Sequence, residues 1–452
     1  MWCINMGSDH PPQADWAALQ GEGIGSVKLS SRDKQILDGR QGEAARMAMR
    51  IVTRMAEVVG ARELMDISQA HIDGCGLLSE SGLEFAETLA AKGAEVSVPA
   101  TLNMGPLDLQ NWRKFGVDEV FARKAIRQAE AYIKMGCVPT WSCAPYQGYL
   151  APRFGQQIAW GESNAICYAN SVLGARTNRY GDFMDICAAI TGRVPKCGLH
   201  LKENRRGQVL VRLSGIEHST MHSNVFYPVF GHLLGSLVQD RIPVIEGLPK
   251  TATSDQLKAL CAAAASSGAL ALFHAVGLTP EAGSLEEAFG PNQPEEVIEI
   301  GRADLEKAWD QLSTATEGEK LDLVVLGCPH FSFGEFRELA DLISRQMQRG
   351  RRLHSGLRFI VTSCQMSYGL AERAGLLDVL TDFGVEITLD TCVFHTPIVR
   401  PDAKVVMTNS GKCSYYAPGE LDVRVAFGTM NDCVASAVAG RVCREEGLWG
   451  ES

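Results

Sequence analysis

From residue 29 onward, short apolar runs alternate with stretches of helical period. The run "SSRDKQILDG" opens a helix in which Ser31 is placed to cap, and "EAARMAMRIVTRMAEVVGA" continues the helical pattern. "LMDISQAHIDG" predicts a strand ending near His71, and "EVSVPATLNMG" one ending near Thr101 and Asn103. "QAEAYIKMG" closes a helix, after which "CVPTWSCAPY" leads into a loop. "PVIEGLP" reads as a short strand. A helix over Asp255 to Ser267 stops at Gly268 and hands over to the strand "ALALFHAVG". "LDLVVLGC", "LRFIVTSC", "VEITLDTC" and "KVVMTNSGKC" complete the set. Strand alternating with helix predicts an α/β chain with mainly parallel sheets. The strands are continuously apolar, as in sheets covered on both faces. The acidic, Pro-bearing stretch Gly283 to Glu299 reads as a surface connection, with a subdomain boundary near 300–320. Residues 1–27 are polar and Gly- and Pro-bearing, and are expected to form a flexible extension. Their "GEGIGS" cluster has no strand before it and is a weak nucleotide-loop signal.

Composition narrows the class. Hydrophobic residues are 46% and charged residues 21% of 452, an ordinary globular balance. A net charge of −10 gives no basic field for nucleic acid or an anionic membrane. The most apolar long stretch, Ala259 to Gly277, is mostly Ala and is broken by Ser266, Ser267, Gly268 and His274. It reads as a buried helix and strand, and no membrane partner is expected. The start of the chain has no basic segment followed by an apolar one, so a cytoplasmic protein is expected. The 14 Cys are scattered, which argues against a disulfide scaffold and for a reducing compartment. Cys167, Cys187, Cys261, Cys433 and Cys443 have apolar or Ala-rich neighbours and read as core.

Other thiols sit where strands stop. The last four predicted strands run into Cys328, Cys364, Cys392 and Cys413, and Cys143 lies in the loop of "PTWSCAPY". Ligands of open α/β sheets bind beyond the carboxyl ends of strands. A site of soft ligands for iron or an iron–sulfur cluster is one reading. Ordinary buried thiols are the other, because the chain has no C-x-x-C spacing. Polar residues crowd the same positions: His71, Thr101, Asn103, His274, His330, Ser363, Asp390, Asn409 and Lys412. Together they predict an active-site crevice. The stretch Gly161 to Asp182 adds Glu162, Ser163, Asn164, Asn170, Arg176, Asn178 and Arg179. That density of Asn and Arg suggests a carboxylate or phosphate clamp, against the alternative of a capped, solvated helix end.

"PTWSCAPY", "ESNAICYANSVLGARTNR", "LFHAVGLTPEA", "GCPHFS", "LDTC" and "MTNSGK", in this order, resemble the aconitase X family, large or catalytic part, from about Leu29 to the end. The resemblance implies an aconitase-like α/β fold of about three subdomains with mainly parallel sheets around a central crevice. It implies an iron-dependent hydro-lyase. Bacterial members dehydrate cis-3-hydroxy-L-proline to pyrroline-2-carboxylate through an enamine, and archaeal members dehydrate mevalonate 5-phosphate. The hydroxyproline reaction is expected here, with the phosphate compound as alternative. A metal-free binding or regulatory subunit is the alternative of another class. By resemblance the metal ligands are Cys143, Cys328 and Cys392, with Cys413 in reserve and Cys364 below it. The metal is a [4Fe–4S] cluster, a [2Fe–2S] cluster or mononuclear iron. His71, His274, His330 and Lys412 are the expected catalytic residues. Thr101, Asn103, Ser163, Asn164, Arg176, Asn178, Arg179 and Ser410 are expected to bind substrate. Trp141 stands where a smaller or more polar residue is expected. The family's swivelling domain has no counterpart in residues 28–452, which read as the catalytic region. This predicts a small partner subunit that carries that domain and its general-base Ser.

Overall fold

The computed structural model describes residues 27–444. The Gly21 cluster and nearly all of the expected extension lie outside the described residues. Three parallel sheets organise the chain. The first has the order Ala100–Leu102, Ala70–Ile72, Ala159–Trp160. The second runs His274–Ala275, Pro243–Glu246, Val209–Leu213, Glu296–Ile300. The third runs Val385–Leu389, Arg358–Ser363, Leu323–Leu326, Val405–Thr408, Arg424–Phe427. An antiparallel pair, Leu64–Asp66 with Arg193–Pro195, closes the base of the first unit.

Burial explains the continuous apolar strands. Val324, Leu326, Phe359, Val361 and Met407 pack into a core on one face of the third sheet. Leu323, Val325, Ile360, Val406 and Val425 enter a second core that also holds Leu107, Trp112 and Phe115. The first unit thus covers one face of the third sheet. The first and second units share a further core, in which Ala165, Ile166 and Ala169 of the helix Ser163–Ser171 meet Leu257, Leu260 and Cys261 of the helix Ser254–Ser267.

Several sequence expectations change. The helix Ser31–Leu37 is capped by Ser30, whose extended backbone lets its Oγ accept the Asp33 amide, while Asp33 accepts the Ser30 amide. "LMDISQAHI" forms two strands in different sheets, because residues 64–66 turn to pair with 193–195. The stretch read as a surface connection holds the helix Leu285–Phe289 and begins the edge strand Glu296–Ile300. That strand's Glu-rich composition suits an edge open to solvent. Cys413 lies inside the helix Gly411–Leu421 rather than at a strand end. The helix stopped by Gly268 is found as expected, with Thr253 and Gln256 forming its capping box.

The strand Leu323–Leu326 meets its turn at Gly327, where φ is +94°. A Cβ there would lie 2.1 Å from the Thr362 carbonyl oxygen of the neighbouring strand. Only glycine fits both the angle and the contact. Gly327→Ala is therefore expected to destabilise the chain by at least about 2 kcal/mol, from left-handed strain plus overlap. Urea unfolding of the variant beside the parent checks this.

Candidate active site

The site is built from strand ends of the first and third units. His71 lies in the central strand of the first sheet, in register with Thr101 and Trp160. Its Nδ1 is 2.8 Å from Thr101 Oγ1, and its ring sits 5.6 Å from the Trp160 ring. Its Nε2 is buried and has no hydrogen-bond partner among the described residues. Just beyond the strand ends come Asp73 and Asn103. The Asn103 amide nitrogen donates to Asp73 and, over 3.3 Å, to Glu162. Glu162 caps the helix Ser163–Ser171, and its Oε1 accepts the Asn164 amide at 3.2 Å. The same oxygen accepts Lys412 Nζ at 2.7 Å. Lys412 stands in the first turn of the helix Gly411–Leu421 of the third unit. Glu162 is buried, with its side chain 5% exposed, and Lys412 is largely covered, at 14%. Burial pushes the Glu162 carboxyl up, but Lys412 overrides this and holds it at about 2. Burial pulls Lys412 down, and Glu162 with the Cys328 and Cys143 thiols hold it well above its ordinary value. Both partners are charged at neutral pH.

The thiols lie beside this pair. Cys143 and Cys392 share one small buried cluster with Met104 and Phe394. The His330 amide donates to Cys143 Sγ at 3.1 Å, and Asn164 Nδ2 donates to the Cys143 carbonyl at 2.9 Å. Ser410 Oγ donates to the Cys328 carbonyl. The His330 ring donates through Nε2 to the Thr391 carbonyl at 2.8 Å, next to Cys392, which leaves Nδ1 as an acceptor without a partner among the described residues. His330 therefore ties the Cys143, Cys328 and Cys392 loops together. Trp141 and Asp390, each two residues before a thiol, hold positive φ of 43° and 66°. Such angles persist in non-Gly residues only where the surroundings enforce them. Here both pack on Gly105: its amide donates to the Asp390 carbonyl at 2.6 Å, and the Trp141 ring covers it.

Burial pushes all three thiols up, Cys392 to about 12, while Lys412 pulls each the other way. A bound metal would hold them ionised. Among the described residues no three His, Cys, Asp or Glu side chains are close enough to clasp a single ion. A cluster would share its thiolates among several irons rather than draw them to one ion, so three soft donors from three loops fit cluster ligation. Met104 and the partly buried Phe394 pack against Cys143 and Cys392.

The structure brings together His71, Thr101, Asn103, Ser163, Asn164, His330, Ser410, Lys412 and the three thiols. His274 lies elsewhere: its Nε2 is 2.6 Å from the Arg205 carbonyl in the second unit. Asn178 is bonded to Cys197 and Leu199. Arg176 lies by His200 and Arg205, and Arg179 is exposed. None of these three bonds to the thiols, Glu162 or Lys412, because the chain from 176 to 179 runs beside the 197–205 segment. Cys413 is sealed in the third unit's core, and Cys364 caps the helix Gln365–Arg373. Sequence reasoning passed over Asp73, Asp182, Asp185 and His395. The first three stand in "HIDG" and "YGDFMDI", where acids interrupt apolar runs. Asp185 Oδ2 accepts the Asp73 amide at 2.6 Å.

Three family models span the chain: Aconitase X first domain over residues 26–203, second domain over 207–310 and third domain over 321–439. The chain belongs to the aconitase X family. A cis-3-hydroxy-L-proline dehydratase of Hypocrea jecorina is 42% identical over 95% of this chain and 72% of that protein. A phosphomevalonate dehydratase large subunit of Methanocaldococcus jannaschii is 37% identical over 89% of this chain and 98% of its own length. The crystal structure of Thermococcus kodakaraensis aconitase X in its holo-form matches with a TM-score of 0.80 and 31% identity, covering 91% of this chain and 100% of that one. This aconitase X chain is a dehydratase of the α/β, mainly parallel type expected from its sequence. No helix among the described residues is long and apolar enough to cross a membrane.

Two buried groups give pH effects of opposite sign. His200 is held at about 4 by burial and by Arg205 and Arg176. Between that value and 6.5 the unfolded chain binds the extra proton, so its contribution to stability is lost as pH falls. Relative to His200→Gln, the parent should lose up to about 2 kcal/mol between pH 7.5 and 5. Asp185 is pushed up to about 7 by burial and by Asp182. Here the folded chain holds the proton, so stability is lost as pH rises from 3.8 to 7. Asp185→Asn should therefore gain on the parent over the same pH rise. Denaturant midpoints at the two pH values check both signs.

Proposed function

We propose that this dehydratase acts on cis-3-hydroxy-L-proline as the metal-bearing large subunit of a two-subunit enzyme. The observation that carries the reading is the meeting of three thiols with the buried Glu162–Lys412 pair at one place. Cys143, Cys328 and Cys392 would hold an iron–sulfur cluster, with Lys412 offsetting the negative charge of their thiolates. A metal bound there supplies Lewis acidity for departure of a hydroxyl group. The protein supplies the rest. Lys412 offers the substrate carboxylate a charge-assisted hydrogen bond. His330, neutral because burial holds it at about 4, offers Nδ1 as an acceptor to the leaving water. Elimination removes the C2 proton and the C3 hydroxyl of the ring and gives an enamine, which tautomerises to pyrroline-2-carboxylate.

The length comparison supports a partner. The chain spans 72% of the Hypocrea protein but 98% of the archaeal large subunit. Beside Cys328, Ser410 and Lys258 lies a cavity of about 570 Å³. A small subunit bearing the swivelling domain would cover this face, exclude water and bring the base for the C2 proton. Thiol-ligated iron needs a reducing compartment, which suits a cytoplasmic enzyme.

The direct assay offers both substrates to the assembled enzyme. Cyclic imine from cis-3-hydroxy-L-proline is the expected product, and turnover of mevalonate 5-phosphate alone would reverse the assignment. Changing Cys143, Cys328 or Cys392 to Ser should lower bound iron and abolish turnover. Full iron content and activity in all three variants would remove the ligand assignment. The large chain by itself should fold with little or no activity, which the partner restores; full activity without it would end the two-subunit reading.

A further inference from the structure

Cys143, Cys328 and Cys392 come from the first and third units, yet the second unit reaches two of the three thiol loops. Asp255 and Lys258 stand at the start of its helix Ser254–Ser267. The Thr253–Gln256 capping box fixes that end, and Leu257 and Leu260 pack the helix into the core shared with the first unit. Asp255 Oδ1 accepts Gln147 Nε2 at 2.8 Å, and Asp255 Oδ2 accepts Ser332 Oγ at 2.8 Å. Gln147 lies four residues after Cys143, and Ser332 four residues after Cys328. One carboxylate thus spans the two loops at equal chain distance from their thiols. Gly334 leaves room for it, since a Cβ there would lie 3.0 Å from Asp255 Oδ2. Lys258, 1% exposed, lies 3.3 Å from Asp255 Oδ1, donates to Glu335 and donates to the His330 carbonyl at 3.2 Å. Burial pulls Lys258 down, but Glu335 and Asp255 more than offset this and keep it charged. Glu335 in turn accepts the Ser332 amide at 2.8 Å. The lysine therefore holds, from the second unit, the residue whose own amide joins the Cys328 loop to Cys143 Sγ.

We infer that Asp255 is a positioning residue: it fixes the separation of the Cys143 and Cys328 loops and so slows loss of the iron those thiols would hold. This rests on the reading of the two thiols as metal ligands. Asp255 does not touch the metal and acts through Gln147 and Ser332. Its two bonds are charge-assisted, because each joins a neutral donor to an ionised carboxylate. Each also crosses a unit boundary, one into the first unit and one into the third. Without them each loop would move with its own unit, and the two thiols would drift relative to one another. Partners that orient ligands from behind commonly govern how tightly a metal is kept.

The test follows loss of bound iron from the assembled enzyme to excess EDTA, beside the urea midpoint of the iron-free large chain. Asp255→Asn keeps the shape of the side chain but leaves one acceptor for two donors. It should release iron about tenfold faster than the parent, with the urea midpoint unchanged. Gln147→Glu sets two carboxylates against each other and should do the same. Combining the two substitutions reverses the bond: the amide at 255 donates to the carboxylate at 147 and still accepts Ser332 Oγ. The double variant should therefore return to near the parent rate. Release at the parent rate in both single variants overturns the inference, and so does a double variant no slower than the single ones. Faster release matched by a fallen urea midpoint in every variant makes the residue merely structural and overturns it as well. Where Asp255→Asn does not fold, Gln147→Glu and the double variant decide. A parent that takes up no iron removes the ligand reading and the inference together. A parent that holds iron, with variants that release it no faster, removes the inference alone.

Discussion

The buried ion pair of Glu162 and Lys412 fixes the geometry on which the rest depends. One charge comes from a helix N-cap of the first unit and the other from the first turn of a helix in the third. Neither is tolerable alone in that setting, since removing one partner of a buried pair costs about 3–5 kcal/mol. The two units must therefore meet with these side chains in contact. Once they meet, the His330 amide of the third unit reaches Cys143 of the first, and the Gly105 amide of the first reaches the Asp390 carbonyl of the third. The pair is a weak source of stability and a strong source of register.

Around it the same economy repeats. His330 uses its amide for Cys143 and its ring for the Thr391 carbonyl, so a single residue, two positions after Cys328, addresses both of the other thiol loops. Gly105 does the same from the first unit, receiving Trp141 and bonding Asp390. The unusual residue in the "PTWSC" segment is thus a buried packing element of the first unit, 4% exposed.

The class of fold was legible because both faces of the parallel strands are covered, and this writes uninterrupted apolar runs into the chain. The third sheet was legible almost whole for this reason. Short strands at sheet margins were harder: Ala159–Trp160 spans two residues, and Glu296–Ile300 exposes its Glu side chains. Thiols and histidines at strand ends announced the crevice, but strand-end position alone does not tell one crevice from another. His274 follows the same pattern as His71 and ends in the second unit, bonded to Arg205. Arg176 and Arg179 carry the composition of a clamp, and only the path of the 197–205 segment beside them shows where they lie. The acids of "HIDG" and "YGDFMDI" were passed over because their significance lies in a contact between residues 73 and 185, which no local pattern encodes.

The core shared by the first unit and the third sheet has a consequence for how such a gene can be divided. Leu107, Trp112 and Phe115 are sealed against Leu323, Val325 and Val425, so cutting the chain between these units would expose an apolar face on each fragment. A break in the chain is tolerated only where it leaves this shared core intact, at an exposed connection.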